Sequence, residues 1–336
     1  MRIVRWAQGD DAGMRACCEL DRACFLVDDP DGPPRSEHLL RSYLEHPREP
    51  AQTWYLPAEA GEPGLQAMYH LQLPDRENLH QATLFLQVRP SHRRRGTGGA
   101  LLRHAAQQAA QDGRTVLRGE TFKGSAGEAF AQYVGAKASL ADARRMLVVA
   151  KVPAGRIAAL RDSAARAAAG YSLVTWTGSI PEEYLAGFAG VFNALNDGPH
   201  SPGQEARIWD AERVRERIDI PREKSGNRHY AVAAVHDATG ELAGVTQVSV
   251  DPDTLPWGQQ LVTAVTRPHR GHRLGLLLKA AMIEWLASAE PGVERIVTTN
   301  YATNQYMIAV NEVLGYELLD PQLESYELQI ADVLRP

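Results

Sequence analysis

Hydrophobic and polar positions along the 336-residue chain fall into short runs whose order repeats once. In the first half, Arg2 to Trp6 reads as a short strand, and Asp11 to Phe25 and Ser36 to Leu44 carry the apolar spacing of amphipathic helices. Thr53 to Ala58 and Leu65 to Leu71 read as strands paired across a Gly/Pro turn. Thr83 to Val88 follows as a buried strand, Ala100 to Gln111 as a helix and Thr115 to Arg118 as another strand. The second half runs in the same order: strand Leu173 to Trp176, a helix near Pro181 to Leu195, a helix at Ala211 to Arg217, and strands Tyr230 to His236, Ala243 to Val250 and Leu261 to Val265. It ends in the helix Gly275 to Ala287 and the strand Arg295 to Thr298. Between them, 153–170 is rich in Ala and Arg, with helical periodicity and a closing glycine, so it is a helical connector and not a flexible linker. The pattern predicts an α/β (α+β) chain of two domains, 1–152 and 171–336, joined by that connector.

The repeat is sharpest at two Arg-rich turns. Residues 83–102 and 261–278 both read as an apolar β-rich run, Arg-Pro, a His/Arg cluster, glycine and an aliphatic helix. Arg93 maps to Arg270 and Gly98 to Gly275 at one common offset, and Gly135 maps to Gly315 at an offset only slightly larger. Both offsets slightly exceed half the chain length, so they describe a duplication with small insertions.

Composition narrows the function classes. With 44% hydrophobic and 23% charged residues the chain is globular, and no apolar run approaches the roughly 20 residues that span a bilayer. The N-terminal residues lack the apolar core of an export signal, so a soluble, cytoplasmic protein is expected. A net charge of −5 recruits neither nucleic acid nor an anionic membrane, and 31 of the 36 basic residues are Arg, so Arg clusters count only where spacing supports them. Cys17, Cys18 and Cys24 lie on one helical segment with no further Cys in the chain; they read as buried thiols, neither a disulfide framework nor a metal site.

The turns themselves carry chemistry. The first turn of a helix has unsatisfied backbone N–H groups and a partial positive charge, so a glycine-rich turn entering it can cradle phosphate oxygens. Gly96, Gly98 and Gly99 allow close backbone approach, and Arg93, Arg94 and Arg95 add countercharge. Neither the dinucleotide G-x-G-x-x-G pattern nor the G-x-x-x-x-G-K-[ST] loop is present, so the turn implies a pyrophosphate ligand other than NAD or ATP.

The spacing Val88, Pro90, Arg93, Gly96, Gly98 before an aliphatic helix resembles the acetyl-coenzyme A motif of the GNAT acetyltransferase superfamily. The resemblance implies two tandem GNAT-like domains, each a mixed, mostly antiparallel sheet flanked by helices. In each, a bulged strand would splay from its neighbour and offer backbone N–H groups to the pantetheine and thioester. It assigns Leu86, Gln87 and Val88, with Thr263, Ala264 and Val265, to those strand ends. Arg93 to Gly99, including Thr97, and Arg270, Gly271, His272, Arg273, Leu274 and Gly275 become the pyrophosphate loops. The second copy departs at Arg273, where the middle glycine belongs, with Gly271 as the candidate relief of the turn. Residues 299–316 resemble the family's later strand and helix, which would set Asn304 facing the coenzyme A arm. The family's tyrosine acid falls four residues before the glycine, where this chain has Ala131 and Asn311; either another group serves, with Asn311 itself, Tyr133 and Tyr301 as candidate catalytic residues and Tyr306 nearby, or a half has lost activity. The tandem layout is similar to the mycothiol synthase-like group.

Such chemistry is direct attack of an amine on a thioester, which needs a base and donors for the developing oxyanion. Glu120, just past the strand Thr115 to Arg118, is placed for a base at the strand gap; the alternative is a solvated strand-end carboxylate. His70 and His80 read mainly as surface residues, Glu324 and Glu327 as candidate walls of an acceptor pocket, and 197–200 as a loop that can cover one. The sequence therefore predicts an acetyl-coenzyme A-dependent N-acetyltransferase acting on a primary amine of a small molecule, as a monomer or homodimer, without metal. Two alternatives stay open: an acyl-coenzyme A-binding regulatory protein with a degenerate half, and an enzyme acting on a protein or peptide amine.

Overall fold

A computed structural model describes residues 2–58, 64–199, 201 and 203–335; His200 and the Gly/Pro turn at 59–63 lie outside them. In chain order the first half forms β1 (Val4–Arg5), α1 (Asp11–Asp28), α2 (Glu37–Glu45), β2 (Ala51–Pro57), β3 (Leu65–Gln72), β4 (Gln81–Val88), α3 (Thr97–Gln111), β5 (Val116–Phe122), α4 (Ala126–Tyr133), β6 (Lys137–Val148) and α5 (Arg156–Ala167). The second half forms β7 (Tyr171–Thr177), α6 (Leu185–Asn193), α7 (Ala211–Val214), α8 (Ile220–Glu223), β8 (Arg228–His236), β9 (Leu242–Val250), β10 (Trp257–Val265), α9 (Leu274–Ala289), β11 (Arg295–Tyr301), α10 (Gln305–Leu314), β12 (Glu317–Leu318), β13 (Leu323–Gln329) and α11 (Ile330–Leu334). Asp10 and Ser36 start α1 and α2 as N-caps, accepting from Gly13 N and Leu39 N.

The compact units are not the contiguous halves 1–152 and 171–336 that the repeat predicts. One unit comprises 1–142, 201–205 and 320–336, the other 143–200 and 206–319. Strand pairing is the reason: β13, from the end of the chain, runs antiparallel to β5 from Leu323↔Phe122 to Gln329↔Val116, and the start of β6 lies on its other side. The 201–205 segment is tied in by Asn78 and Glu205, where the Asn78 N–H donates to Glu205 Oε2 at 2.6 Å and Asn78 Oδ1 accepts from the Glu205 N–H at 2.8 Å.

In the first unit β1, β2, β3 and β4 pair antiparallel in that order, β4 and β5 are parallel, and β13 follows. The α3 stripe Leu101, Leu102, Ala105, Ala106 and Ala109, at helical spacing, buries against Tyr69, Leu71, Leu117 and Leu328 of the sheet. A separate cluster joins Met14, Cys17, Cys18, Leu20 and Cys24 of α1 to Leu40 and Leu44 of α2. Burial pushes the Cys17 and Cys18 thiols up to about 12 and Cys24 to about 11. The second unit repeats the plan, with β7, β8, β9 and β10 antiparallel and β10 parallel to β11. Its helix α9 is apolar nearly all round and is buried between the sheet and α5 and α10. Among the described residues no helix is long and apolar enough to cross a membrane.

Candidate functional site

Both Arg-rich turns fold alike, down to individual torsions. Each leaves its strand through a short 3-10 turn, Pro90–His92 or Arg267–His269, and reaches an extended Arg93 or Arg270. Left-handed residues then occur at the same two places, Arg94 (φ 63°) and Gly96 (φ 82°) in the first copy, Gly271 (φ 89°) and Arg273 (φ 56°) in the second. Gly271 thus does not relieve the turn at Arg273; the two copies have exchanged which position holds the glycine. A non-glycine residue in this conformation costs roughly 1–2 kcal/mol, so each copy carries that strain once. Gly96 and Arg273 are the N-caps of α3 and α9, and no side chain caps either helix. The first-turn amides of Thr97, Gly98 and Gly99, and of Leu274 and Gly275, thus have no capping side chain, the arrangement in which a helix N-terminus can accept an anion. A side chain at Gly98 would meet the Phe130 ring of α4 at 3.3 Å, whereas Gly99 faces open space.

The loop arginines do a different job from the one expected. Arg93 is a bidentate partner of Asp28 at 2.8 and 2.6 Å, and its Nε donates to Val88 O at 3.0 Å. Arg270 repeats this, with Nε to Val265 O at 3.2 Å and Nη2 to Asp197 Oδ2 at 2.7 Å, and Arg267 shares the same carboxylate. The pair therefore fastens each turn near the C-terminal end of a helix, at the last residue of α1 and in the turn after α6, and the exposed Arg94, Arg95 and His272 are left as solvent-facing groups at the turns. Arg273 Nη1 donates to Ser163 Oγ at 3.1 Å.

Beside each turn a strand pair opens. Pairing of β4 with β5 stops at Thr83↔Arg118, while β4 continues along β3 to Ala67↔Val88. Backbone groups of Leu84, Leu86, Gln87 and Val88 thus border a wedge, whose narrow end is set by Gly119, where a Cβ would lie 3.0 Å from Leu84 O. In the second unit β10 and β11 part after Gln259↔Val297, and a bulge between Gln260 and Thr263 precedes Thr263, Ala264 and Val265. The bulge implied for both copies is present in β10 only; β4 opens without one, its register on β3 being unbroken. The Thr263 hydroxyl pairs with Thr246 at 2.7 Å, and Gln87 Nε2 donates to Asp21 at 2.8 Å.

One face of the first unit's sheet gathers carboxyls at the wedge. Cross-strand rows put Thr53, His70 and Phe85 on the same face, then Glu120 with Ser325, then Phe122, Leu323 and Asp142. Glu120 is open to solvent yet surrounded by protein atoms, and this loss of hydration raises its carboxyl above the usual value, against a hydrogen bond from Ser325 Oγ at 3.4 Å. Asp142 is 9% exposed, and burial, with Glu120 and Glu324 adding repulsion, pushes it up to about 7. Tyr43 of α2 lies 5.0 Å from the His70 ring and 5.8 Å from Phe85 and accepts from Gln72 at 2.9 Å. His70 is buried instead of on the surface, held neutral by desolvation with a pKa of about 4, its Nδ1 on Thr53 at 2.9 Å. Glu324 and Glu327 bind Lys123 at 2.6 Å and Arg118 at 3.3 Å. The His80 ring meets the neighbouring Gln81 amide at 3.0 Å, and its backbone carbonyl accepts from the Thr115 and Val116 N–H groups.

Against known proteins, residues 182–316 match the model of the acetyltransferase (GNAT) family. A tandem GNAT protein from the clavulanic acid biosynthesis pathway is similar over 98% of both chains, with 30% identity and a TM-score of 0.78. The chain belongs to the GNAT acetyltransferase family. No curated protein matches the chain in a sequence search. A GCN5-related N-acetyltransferase from Sphaerobacter thermophilus shares the fold at 17% identity, over 99% of this chain and 96% of its own, with a TM-score of 0.66. The family model covers the second repeat, although the complete glycine spacing is in the first.

The two units fill the places around the GNAT tyrosine acid differently. Tyr133 ends α4 and is 86% exposed, with Ala131 on the preceding turn. In the second unit Asn311 is fully buried, accepts from the buried Lys279 Nζ at 2.7 Å and donates to Asn300 Oδ1 at 2.7 Å. Tyr301 closes β11 half-exposed, and Tyr306 of α10 is 60% exposed, 3.7 Å from where a Gly275 Cβ would sit. Asn304 is occupied as the N-cap of α10, accepting from Met307 N at 3.2 Å. The structure thus gathers Glu120 with Asp142, and Asn311 with Lys279; it brings Tyr133 to neither group. Asp142 and Lys279 have no motif around them, but the loop carboxylates had a legible signal: Leu26, Asp28 and Pro30 recur at one common offset as Leu195, Asp197 and Pro199.

Proposed function

We propose that the chain transfers an acetyl group from acetyl-coenzyme A to a primary amine of a small, cationic acceptor, and that the first unit carries the chemistry. Glu120 beside the β4–β5 wedge, with Asp142 in the neighbouring cross-strand row on the same face, carries this reading. An incoming ammonium is attracted by both carboxyls, and a carboxylate raised above its usual range is the better base for the proton an amine must lose before attack. The Gly96 to Gly99 turn would hold the pyrophosphate, and the unpaired edge of β4 would align the pantetheine. Nucleophile and thioester would then meet beside Glu120. Three unpaired thiols fit a cytoplasmic site of action.

Glu120→Gln tests it: turnover should fall about 10²–10⁴-fold, with the acid limb of the pH–rate profile removed and acetyl-coenzyme A affinity kept. An unaltered profile would remove Glu120 from the base role. Failure to release coenzyme A thiol with any cationic amine, despite tight cofactor binding, would favour the regulatory reading instead. The buried Asn311 and the left-handed Arg273 support that reading for the second unit.

A further inference from the structure

The second unit contains a chain of hydrogen bonds that the first has no residues to form. Lys279 stands inside α9 with 1% of its surface exposed, its Nζ 4.6 Å from the centre of the Tyr316 ring and 2.7 Å from Asn311 Oδ1. Asn311 Nδ2 in turn lies 2.7 Å from Asn300 Oδ1. At the corresponding places of the repeat, set by the offsets of Gly98 to Gly275 and Gly135 to Gly315, the first unit has Leu102 and Ala131.

The direction of this chain is dictated by chemistry. A lysine ammonium has donors only, so Asn311 must turn its oxygen to Lys279 and its NH2 group away. Asn300 must then present its oxygen to Asn311, which leaves its own NH2 group pointing out of the network as a donor. Asn300 lies three residues beyond the last paired row of β10 and β11, Gln259↔Val297, where the strands have already parted. By strand alternation it shares a face with the buried Ile296 and Thr298; Ile296 belongs to the core formed with α9 and α10. Burial lowers the Lys279 ammonium to about 7; while it holds its proton, the charge polarises each bond in line and makes the terminal N–H a stronger donor than an isolated amide.

We propose that Asn300 Nδ2 is a donor to the acyl oxygen of a thioester bound in the second unit's wedge, and that Lys279 and Asn311 are positioning residues that aim it. This rests on the reading that the chain binds acetyl-coenzyme A. The chain of donors selects an acylated thiol over the free thiol, because only the former carries a carbonyl at the sulfur end of the arm; the amide carbonyls of the pantetheine are common to both. Asn311, at the place of the family's acid, is a strut in this arrangement and gives up no proton.

The test is calorimetric and independent of turnover. Acetyl-coenzyme A and coenzyme A are titrated separately into the wild-type chain, Lys279→Met and Asn300→Ala, with thermal unfolding as a check on folding. One hydrogen bond to an acyl oxygen corresponds to a loss of about fivefold to tenfold in affinity. Both variants should show it for acetyl-coenzyme A at one class of sites, with coenzyme A affinity unchanged. Equal losses for both ligands, or no loss for either, would overturn the proposal. Asn300→Ala, at a half-exposed position, keeps it testable if Lys279→Met unfolds. A wild-type chain that binds neither ligand would instead remove the coenzyme A reading beneath it.

Discussion

Asp142→Asn tests the acidic face through stability, with no need of an identified acceptor. Asp142 has a folded pKa of about 7 against an ordinary 3.8, chiefly from burial, with Glu120 and Glu324 adding to it. Between those two values the folded state holds a proton that the unfolded state has lost, so stability falls as pH rises through the window and levels off above pH 7. A gap of roughly three pH units, at about 1.36 kcal/mol each, sets the full penalty on the order of 4 kcal/mol. About a third of it is already present at pH 5. Asparagine is neutral throughout and keeps the shape. The variant should therefore gain on the wild type by roughly 2–3 kcal/mol between pH 5 and pH 8. Urea denaturation at the two pH values, followed by exchange protection of β5 and β13 amides, reads the first unit by itself. A variant-to-wild-type difference that is the same at both values, or that shrinks as pH rises, would refute the carboxyl cluster. If the cleft takes an ammonium, a cationic amine that binds should also stabilise the wild type more than Asp142→Asn at pH 8, because the wild type offers it two carboxylates there and the variant only Glu120.

Removing Asp28 takes from Arg93 its bidentate ion pair, so Asp28→Ala should weaken coenzyme A binding at the first loop and spare the second; Asp197→Ala should do the converse, as calorimetric stoichiometry would show. Gly96→Ala meets no atom within 4 Å, so its cost is the left-handed φ alone, about 1 kcal/mol by urea denaturation, and a loss above about 3 kcal/mol would contradict that account. Cys17, Cys18 and Cys24 are buried with raised pKa values, so a thiol reagent at pH 8 should modify them slowly in the native chain and rapidly in denaturant.

The parts of this molecule legible in its sequence are those set by local geometry. Both turns need left-handed residues at fixed places, so Gly96 and Gly271 stand out, and apolar spacing placed most of the helices and strands near their observed positions. Pairing between distant strands leaves no such mark. Nothing near Leu323 says that β13 lies along β5, yet that pairing puts Ser325 beside Glu120 and Asp142 beyond it. Glu120 could be proposed from its strand end, whereas Asp142 in isolation reads as a solvated strand residue. Lys279 offered one clue: it is among only five lysines in the chain and sits within an aliphatic helix, where an uncompensated charge is costly. The duplication supplies the stronger rule. Positions alike in both copies, Arg93 with Asp28 and Arg270 with Asp197, hold the backbone of the turns. Positions where the copies differ, Leu102 against Lys279 and Ala131 against Asn311, replace apolar side chains by a buried polar network that runs to Asn300, so the divergence between repeats, more than their similarity, distinguishes the two units.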